Sequence, residues 1–396
     1  MSDAYPSADV PVDAVEPSEL LDRIERGDPV RLLDVRNATE FEEWHIDAPN
    51  VAVANIPYFD FLEGVTDDLL AQVPDGEGPL VVVCGKGGAS EYVAGLLIQE
   101  GIDAQNLADG MVGWGRVYRA VEVTDYDGPG TLFQYQRPSS GCLAYLLVAG
   151  DEAAVIDPLH AFADRYVEDA AARGADLTTA VDTHIHADHI SGVRTLARTA
   201  GATPVIPAAA VGRGVDYDLA YTTVADGDTI PVGDAAIEVL ATPGHTTGMT
   251  AYRVGNVLCT GDGLFTESVA RPDLEEGDAG APDAAAQLYE TLTETILPLP
   301  EDTVIAPGHF SDAADSAGDD SYTARLGDLQ ERMKPLSLSR EAFVEFILAD
   351  MPPRPGNFEE IIATNLGTRP IDDEEVFRLE QGPNNCAATR ESMAGD

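Results

Sequence analysis

Apolar residues in the first third of the chain form short strand-like runs that alternate with helical stretches. Leucine and valine dominate residues 32–35 and 80–83, and residues 89–99 have a helical pattern. Strands that alternate with helices are typical of an α/β domain. We therefore expect a separate α/β domain over residues 1–122.

A second segment of strands and helices follows. Residues 178–182 form a strand-like run, and residues 193–200 form a helix-like run. A chain of 396 residues is long enough for two domains, each with its own core. We assign the second domain to residues 123–312.

The chain beyond this domain is first polar and turn-rich, and then helical. Residues 321–350 place Leu326, Leu329 and Met333 on one helical face. We therefore expect residues 313–396 to form a helical C-terminal extension of the second domain.

The densest cluster of polar side chains is residues 183–192, Thr-His-Ile-His-Ala-Asp-His-Ile-Ser-Gly, which we call the histidine motif. It holds three of the seven histidines of the chain. On an extended segment His184 and His186 point to the same side, because side chains alternate along a strand. Asp188 and His189 then fall in the turn before the next helix. Imidazole and carboxylate ligands suit zinc, iron or manganese.

Further candidate ligands lie in separate glycine-rich turns. His245 and His309 each follow Pro-Gly, and Asp262 lies in Thr-Gly-Asp-Gly. Taken singly, His245 or His309 is explained as well by an ordinary polar role in its own loop. Taken together with the histidine motif, these turns predict loops that converge on one metal site.

Cys84 ends a strand-like run and is followed by Gly-Lys-Gly-Gly-Ala-Ser and a helix. Backbone N–H groups and the positive end of a helix dipole stabilise an anion at such a position. Lys86 adds a positive charge, in a chain with only two lysines. The alternative is that Cys84 is a small residue packed at a tight turn.

The ligand order resembles that of the metallo-β-lactamase superfamily over about residues 128–312, which implies an αββα sandwich. The histidine motif is most similar to that of the persulfide dioxygenases, Thr-His-x-His-Ala-Asp-His followed by Ile or Val, Ser or Thr, and Gly. That group also has Arg-x-Asp nine residues after its bridging aspartate. Arg271 and Asp273 stand at that distance from Asp262.

This resemblance implies a metal and its ligands. Persulfide dioxygenases hold one ferrous iron with two histidines and one aspartate, which correspond here to His184, His245 and Asp262. The remaining polar residues would orient and tune these ligands: His186, Asp188, His189 and His309. All seven positions of a two-zinc hydrolase are also present, so the residues leave one iron and two zincs both open.

Residues 1–122 resemble the rhodanese domain, which carries sulfane sulfur as a persulfide on a loop cysteine. The resemblance rests on Leu33-Asp34-Val35-Arg36 with Glu40-Phe41, on His45-Ile46, on residues 107–111, and on Trp114. Active rhodanese loops commonly close with arginine, whereas Ala89 and Ser90 stand here. Lys86 would then hold the anion, and a docking or relay role is the alternative to turnover with thiosulfate.

The resemblances together imply an iron-dependent persulfide dioxygenase. It would use O₂ to oxidise a low-molecular-weight thiol persulfide, such as glutathione persulfide, to sulfite and thiol. Arg271 would bind a substrate carboxylate through its guanidinium, or else pair with Asp273. Cys84 would load or unload sulfane sulfur and so link thiosulfate, sulfite and persulfide pools.

Two other functions compete with this hypothesis. One is a binuclear zinc thioester hydrolase of the glyoxalase II type, in which a bridging hydroxide attacks the thioester. The other is a sulfur carrier whose metal site is vestigial. Metal content and oxygen uptake distinguish them.

The chain has 70 acidic and 23 basic residues, a formal charge of -47 that is spread along its length. Dense like charge destabilises a compact state unless salt screens it, so this composition resembles adaptation to a salt-rich cytoplasm. Such a surface excludes binding to nucleic acid phosphates. An acidic coat for a basic partner is the alternative.

The cysteines and the termini indicate the compartment. No paired metal or redox spacing links the four cysteines, so we expect thiols in a reducing cytoplasm. Residues 1–20 lack the features of a signal peptide, and no run approaches the roughly 20 apolar residues of a membrane span. We expect a soluble cytoplasmic protein, whose oligomeric state the sequence leaves open.

Overall fold

The structure, a computed structural model, describes residues 10–349, 351–380, 382, 385–389 and 393; for residues 373 and 374 it describes the backbone alone. Residues 1–9 of the expected first domain therefore lie outside the described residues. The chain divides into two compact units between Val117 and Tyr118.

The first unit is built on a parallel sheet of five strands, in the order β1-β5-β4-β2-β3. The strands are β1 (Asp13–Val15), β2 (Val30–Asp34), β3 (Val51–Asn55), β4 (Leu80–Val83) and β5 (Ala104–Leu107). The helices are α1 (Pro17–Glu25), α2 (Ala38–Glu43), α3 (Asp67–Leu70), α4 (Gly88–Gln99) and α5 (Gly110–Trp114). All four residues of β4 are buried, as expected for a parallel strand covered on both faces.

The second unit begins with a sheet of seven strands, in the order β12-β11-β10-β9-β8-β7-β6. The strands are β6 (Arg119–Glu122), β7 (Thr131–Arg137), β8 (Cys142–Ala149), β9 (Glu152–Ile156), β10 (Asp176–Val181), β11 (Thr203–Pro207) and β12 (Thr222–Val224). The helices along this segment are α6 (Ala163–Ala172), α7 (Val193–Thr199) and α8 (Ala208–Val211). Strands β9 to β12 are parallel, and β6 to β9 are antiparallel.

A second sheet of six strands packs on the first. Its strands are β13 (Thr229–Val232), β14 (Ala235–Ala241), β15 (Thr250–Val254), β16 (Val257–Gly261), β17 (Val304–Pro307) and β18 (Ala324–Arg325). The later helices are α9 (Gly277–Glu290), which runs into a π-helical turn (Thr291–Ile296), then α10 (Leu326–Arg332), α11 (Arg340–Leu348), α12 (Phe358–Asn365) and α13 (Asp373–Leu379).

Three apolar clusters define the layers of this unit. The central cluster joins the inner faces of both sheets and includes Tyr145 from β8 and Tyr252 from β15. A second cluster packs α6 and α7 on the outer face of the first sheet, around Tyr166. A third packs α9, α10 and α11 on the second sheet, around Phe343. The order helix, sheet, sheet, helix is the expected αββα sandwich.

The predicted elements agree with the structure apart from their ends. The strand predicted at residues 178–182 is β10, and the helix predicted at 193–200 is α7. The helical prediction from residue 321 was wrong at its start, because Ala324–Arg325 pair with β17 as a short strand. Leu326, the first residue of α10, is buried as predicted.

The expected domain boundary at residue 122 also needs correction. Residues Arg119–Glu122 form β6, which pairs antiparallel with β7 of the second unit. The Tyr118 ring stacks on Phe162, with a centroid distance of 4.0 Å, and its hydroxyl bonds that of Tyr166. The backbone ladder therefore assigns these residues to the second unit.

Across the described ranges, no helix is both long and apolar enough to span a bilayer.

The boundary makes a testable prediction. A fragment of residues 118–396 should be more stable than one of residues 123–396, because the shorter fragment loses Tyr118 and exposes the edge of β7. Loss of a fully buried aromatic side chain costs roughly 3–5 kcal/mol; Tyr118 is half-buried, so we expect a smaller loss of about 1–3 kcal/mol. Urea unfolding followed by circular dichroism measures the difference. Equal midpoints with equal slopes would show that β6 contributes nothing to the sheet.

Candidate metal centre and cysteine loop

The candidate ligands follow strands that end at one edge of the sandwich. The histidine motif follows β10, and Asp157 follows its parallel neighbour β9. In the second sheet, His245, Asp262 and His309 follow β14, β16 and β17, which run in the same direction. The loops predicted to converge therefore do so, because parallel strand ends share an edge.

Close packing of these loops requires glycine at two positions. A β-carbon at Gly308 would lie 2.8 Å from Asp262 Oδ1. One at Gly244, where φ is +143°, would lie 2.5 Å from the Cα of Leu288. Side chains at these positions would push the loops of His309 and His245 away from the cluster.

Three side chains form the first cluster, His184, His245 and Asp262. The Nε2 atom of His184 lies 3.7 Å from Asp262 Oδ2, and that of His245 lies 3.5 Å from the same oxygen. The three side chains are at most 1 % exposed. One ligand atom from each lies within 4.8 Å of the others, which is close enough for a common cation.

The imidazole nitrogens that point away from the centre of this cluster are hydrogen-bonded, whereas the atoms that face its centre are not. His184 Nδ1 is 2.9 Å from Thr183 Oγ1, and His245 Nδ1 donates to Arg271 O at 2.8 Å. The facing atoms, His184 Nε2, His245 Nε2 and Asp262 Oδ2, have no hydrogen-bond partner. A buried polar atom without a partner costs about 1–3 kcal/mol, so three that face one another fit a bound cation.

Burial also sets the protonation of the cluster. It lowers the pKa of His184 and that of His245, so both imidazoles are neutral and can donate a lone pair. Burial by itself would raise the pKa of Asp262, but the charge of His309 and its hydrogen bond hold this pKa well below the ordinary value. Neutral imidazole and carboxylate are the forms that bind metal.

His186 does not join this cluster. Its ring centroid is 4.3 Å from that of His184, but its Nε2 is 3.1 Å from Asp157 Oδ1 and 3.7 Å from Asp182 Oδ1. We expected His184 and His186 to point to the same side of an extended segment, but β10 ends at Val181 and the motif is not extended. The Nδ1 atom of His186 has no hydrogen-bond partner. Asp157 also accepts from the N–H of Thr183, at 2.7 Å, and so fixes the start of the motif.

A second cluster adjoins the first. His309 bridges two carboxylates, with Nδ1 2.6 Å from Asp262 Oδ1 and Nε2 2.6 Å from Asp188 Oδ2. Asp188 Oδ2 also lies 3.0 Å from His189 Nδ1. Burial would lower the pKa of His309, but Asp262 and Asp188 raise it well above its ordinary value, so His309 holds a proton between them. Asp188 Oδ1 and His189 Nε2 have no hydrogen-bond partner.

Two thiols border the second cluster, and the sequence assigned a role to neither. Cys142 Sγ is 3.2 Å from Asp188 Oδ2. Cys386, from the C-terminal extension, has its ligand atom within 4.8 Å of those of Asp188, Asp262 and His309. Burial and the charges of Asp188 and Asp262 raise the pKa of Cys386 well above its ordinary value. No spacing rule could have found these thiols, because they come from distant parts of the chain.

The extension also holds the backbone of the histidine motif. The buried amide of Asn365 donates to His186 O at 3.0 Å and to His189 O at 2.8 Å, and accepts from Ser191 N at 2.9 Å. Glu380 accepts from the N–H of Ile190 at 2.7 Å. The sequence gave no signal for Asn365, whose partners are backbone atoms about 175 residues away.

Of the two roles expected for Arg271, substrate binding and pairing with Asp273, the structure shows the pairing. Arg271 is 1 % exposed, and its guanidinium forms two bonds with Asp273, at 2.7 and 3.0 Å. Its Nη1 donates to Pro353 O and Asn385 O, both at 2.9 Å. Four of the five N–H groups of an arginine are then engaged. Arg271 therefore ties the extension to the His245 loop, since its own carbonyl accepts from His245.

Cys84 lies at the end of β4 in the first unit, directly before the turn that leads into α4. Its sulfur accepts from the N–H of Gly87 at 3.1 Å and lies 3.1 Å from Ser90 Oγ. A β-carbon at Gly110 would lie 2.1 Å from Cys84 O, so α5 approaches this loop as only glycine permits. Cys84 is 6 % exposed, and Lys86 is exposed on the loop. The loop therefore directs donors at the sulfur, as the sequence predicted.

Family comparisons agree with this division of the chain. Residues 138–309 match the metallo-β-lactamase superfamily, and residues 16–116 match the rhodanese-like domain. The mitochondrial persulfide dioxygenase ETHE1 of Homo sapiens is 32 % identical over 246 residues, which cover 60 % of this chain and 88 % of that protein. A hydroxyacylglutathione hydrolase of Rhodobacter capsulatus is 35 % identical over 208 residues, or 52 % of this chain and 73 % of that protein.

A solved structure shows the same likeness. The crystal structure of ETHE1 from Myxococcus xanthus is 30 % identical, with a TM-score of 0.51, and the match covers 60 % of this chain and 98 % of that one. The expected resemblances to the metallo-β-lactamase superfamily, to the persulfide dioxygenases and to the rhodanese domain are thus confirmed. The chain belongs to the metallo-β-lactamase superfamily, is homologous to the persulfide dioxygenase ETHE1, and carries a rhodanese-like domain on its amino-terminal side.

Proposed function

We propose that this protein is an iron-dependent persulfide dioxygenase, with one ferrous ion held by His184, His245 and Asp262. The overall reaction converts a thiol persulfide, O₂ and water into the thiol and sulfite. The observation that carries the proposal is the convergence of three buried, unpaired ligand atoms from these side chains. Homology with ETHE1 of Homo sapiens supports the substrate class.

The proposal of one metal rests on the resemblance to persulfide dioxygenases. In the second cluster both nitrogens of His309 are taken by carboxylates, and Asp188 Oδ2 has two further neighbours. The same side chains, with Cys142, are close enough to one another to hold a cation. Bound iron with two imidazoles and one carboxylate supplies open positions for dioxygen and a sulfur ligand.

The side chains around the first cluster prepare it for this chemistry. Thr183 and the carbonyl of Arg271 fix the two imidazole rings, which keeps their Nε2 lone pairs aimed at one point. His309 fixes the Asp262 carboxylate from the opposite side. The burial of these ligands keeps water away from reactive sulfur species.

We propose that the rhodanese-like domain supplies or removes sulfane sulfur through Cys84. The donors from Gly87 and Ser90 stabilise negative charge on its sulfur, and exposed Lys86 adds a positive charge to the loop. A domain that carries R–S–SH chemistry complements one that oxidises it. Thiosulfate and sulfite are the simplest candidates for exchange with this cysteine.

A binuclear zinc thioester hydrolase remains the second candidate. The hydroxyacylglutathione hydrolase of Rhodobacter capsulatus is a homologue at 35 % identity. Asp188 Oδ1 and His189 Nε2 are unpaired and could serve a second metal. Two zincs per chain, with thioester hydrolysis that needs no oxygen, would favour this function over the dioxygenase.

The first prediction concerns the metal ligands. The full chain, reconstituted with ferrous iron in molar KCl, should bind roughly one iron per chain and consume O₂ with glutathione persulfide while sulfite forms. The variant His245→Ala should lose iron and lower the rate by more than about 100-fold, since changes to the partners of ligands alone cost roughly 10- to 100-fold. His45→Ala, in the other unit, is the matched control. Unchanged iron content in His245→Ala would refute the ligand assignment.

The second prediction concerns Asn365 as a positioning residue. Asn365→Asp keeps an acceptor for Ser191 but removes the donors to His186 O and His189 O, and should weaken iron binding by about 10- to 100-fold. Competition with a chelator measures the affinity, and circular dichroism confirms that the variant is folded. Asn256→Asp, on the turn between β15 and β16, likewise loses an amide donor to a backbone carbonyl, that of Asp125, and is the matched control. An unchanged iron affinity would show that Asn365 does not position the motif.

The third prediction concerns the sulfur loop. After incubation with thiosulfate, the protein should carry cyanide-labile sulfur, detected as thiocyanate and as a mass increase on the Cys84 peptide. Cys84→Ser should abolish the label, and Cys259→Ala should keep it, because Cys259 is buried in the core of the other unit. Label that persists in Cys84→Ser would exclude Cys84 as the carrier, whatever the outcome for oxygen uptake.

A further inference from the structure

A cavity lies beside the histidine motif, and none of the candidate metal ligands lines it. Its volume is about 430 Å³, within the range of small-molecule sites. Ile190 and Ser191 form part of its wall. The other walls come from His160, from α7, from Asp216 and Asp218, and from residues 367 and 369–371 after α12.

One wall of the cavity carries a guanidinium with no counter-ion. Arg194 is half-buried, and its Nη2 donates to Thr364 O at 2.6 Å. Its guanidinium carbon lies 5.2 Å from the centroid of the Tyr217 ring. Among the described residues, no carboxylate lies within 4.0 Å of Arg194, and no second hydrogen bond engages it. Most of its donors are therefore left for another partner.

This arrangement is unusual for so acidic a chain. Acidic residues outnumber basic ones by 70 to 23, so a carboxylate is easily supplied wherever a cation needs one. The other two arginines of the cavity have such partners: Arg198 pairs with Asp218, and Arg369 pairs with Glu360 and Glu375. Burial without a partner lowers the pKa of Arg194. Among the described residues, this cation is thus compensated by one carbonyl and by the face of the Tyr217 ring, and by no paired carboxylate.

The same cavity carries an unpaired carboxylate. Within the described part of the chain, no side-chain hydrogen bond or ion pair engages Asp216, although its backbone N–H donates to Leu366 O at 2.7 Å. Asp216 and Arg194 both line the cavity, but they do not pair with each other. Thr195 Oγ1, 2.7 Å from His160 Nδ1, adds a neutral polar group to the wall.

We propose that this cavity binds a zwitterion of the α-amino acid type, whose carboxylate pairs with Arg194 and whose ammonium group pairs with Asp216. A guanidinium offers two parallel N–H groups to a carboxylate, and a carboxylate accepts well from an ammonium group. The cavity has room for an amino acid or a small peptide. Such a ligand would pair with the half-buried guanidinium of Arg194 and with the exposed carboxylate of Asp216 at once, whereas an inorganic anion would pair with Arg194 alone.

The bound ligand would connect elements that hold the histidine motif. Arg194 lies on α7, which begins directly after the motif, and it contacts Thr364 of α12. The neighbouring residue, Asn365, clamps the motif backbone. Binding should therefore stabilise α12 against local unfolding, with increased protection of its amide hydrogens from exchange.

Calorimetry on the full chain tests the proposal with a matched pair of ligands. L-glutamate and glutarate carry the same two carboxylates, but only L-glutamate has the ammonium group. The titrations use the lowest KCl concentration that keeps the protein folded, because chloride competes for the guanidinium. We expect L-glutamate to bind more tightly than glutarate, by about 5-fold or more.

Variants of Arg194 and Asp216 test which residue binds the carboxylate of the ligand and which binds its ammonium group. Arg194→Met removes the guanidinium but keeps an unbranched side chain, and should weaken the binding of both ligands by about 10-fold or more. Asp216→Asn should remove the preference for L-glutamate and leave glutarate unaffected or bound more tightly. Arg165→Met, on exposed α6, should change neither, and His245→Ala should bind as the wild type does. The last comparison separates this site from the proposed iron site.

Three results would overturn the proposal. Equal affinity for L-glutamate and glutarate in the wild type would reduce the cavity to a simple anion site. Unchanged binding by Arg194→Met would place the ligand elsewhere. The absence of measurable heat with both ligands at millimolar concentration, in protein that is folded by circular dichroism, would mean that the cavity takes no such zwitterion.

Discussion

Three ligand atoms, on His184, His245 and Asp262, face one another in an interior that excludes water and offers them no hydrogen bond. The opposite atoms of these three side chains are engaged, by Thr183, by a backbone carbonyl and by His309. Leaving the facing atoms unpaired is unfavourable for the protein alone and favourable once a cation is bound. The loops at this edge of the sandwich, and the glycines that let them approach, are arranged around this requirement.

The C-terminal extension forms hydrogen bonds with the loops that carry the candidate metal ligands. Asn365 and Glu380 bind the backbone of the motif, while Arg271 ties residues 353 and 385 to the loop of His245. Cys386 then lies beside the second cluster. The ligand loops are thus fixed from one side by the two sheets and from the other by the extension, which limits how far the ligands can relax apart.

The extent to which the sequence could predict the site differs between residues. His184, His245 and Asp262 were candidates because motif spacing and glycine-rich turns are local features, and the resemblance to persulfide dioxygenases grouped them as one ligand set. That resemblance also set His186 apart from them, but the bonding of His186 to Asp157, 29 residues away, depends on the fold. For Arg271 the sequence left substrate binding and pairing with Asp273 both open, because it cannot show which partners occupy the donors. Asn365 belongs to no sequence motif that would mark it as part of the site.

The sequence by itself indicated two units and a set of candidate metal ligands, because periodic burial and short motifs are encoded by neighbours along the chain, and its resemblance to known families implied the αββα layers. Only the tertiary structure decided the rest: which ligands share a cation, which are tied up in hydrogen bonds, and that Arg194 and Asp216 remain unpaired on one cavity. Such pairings depend on distances between segments far apart in sequence, and a change of about 1 Å is enough to make or break a hydrogen bond.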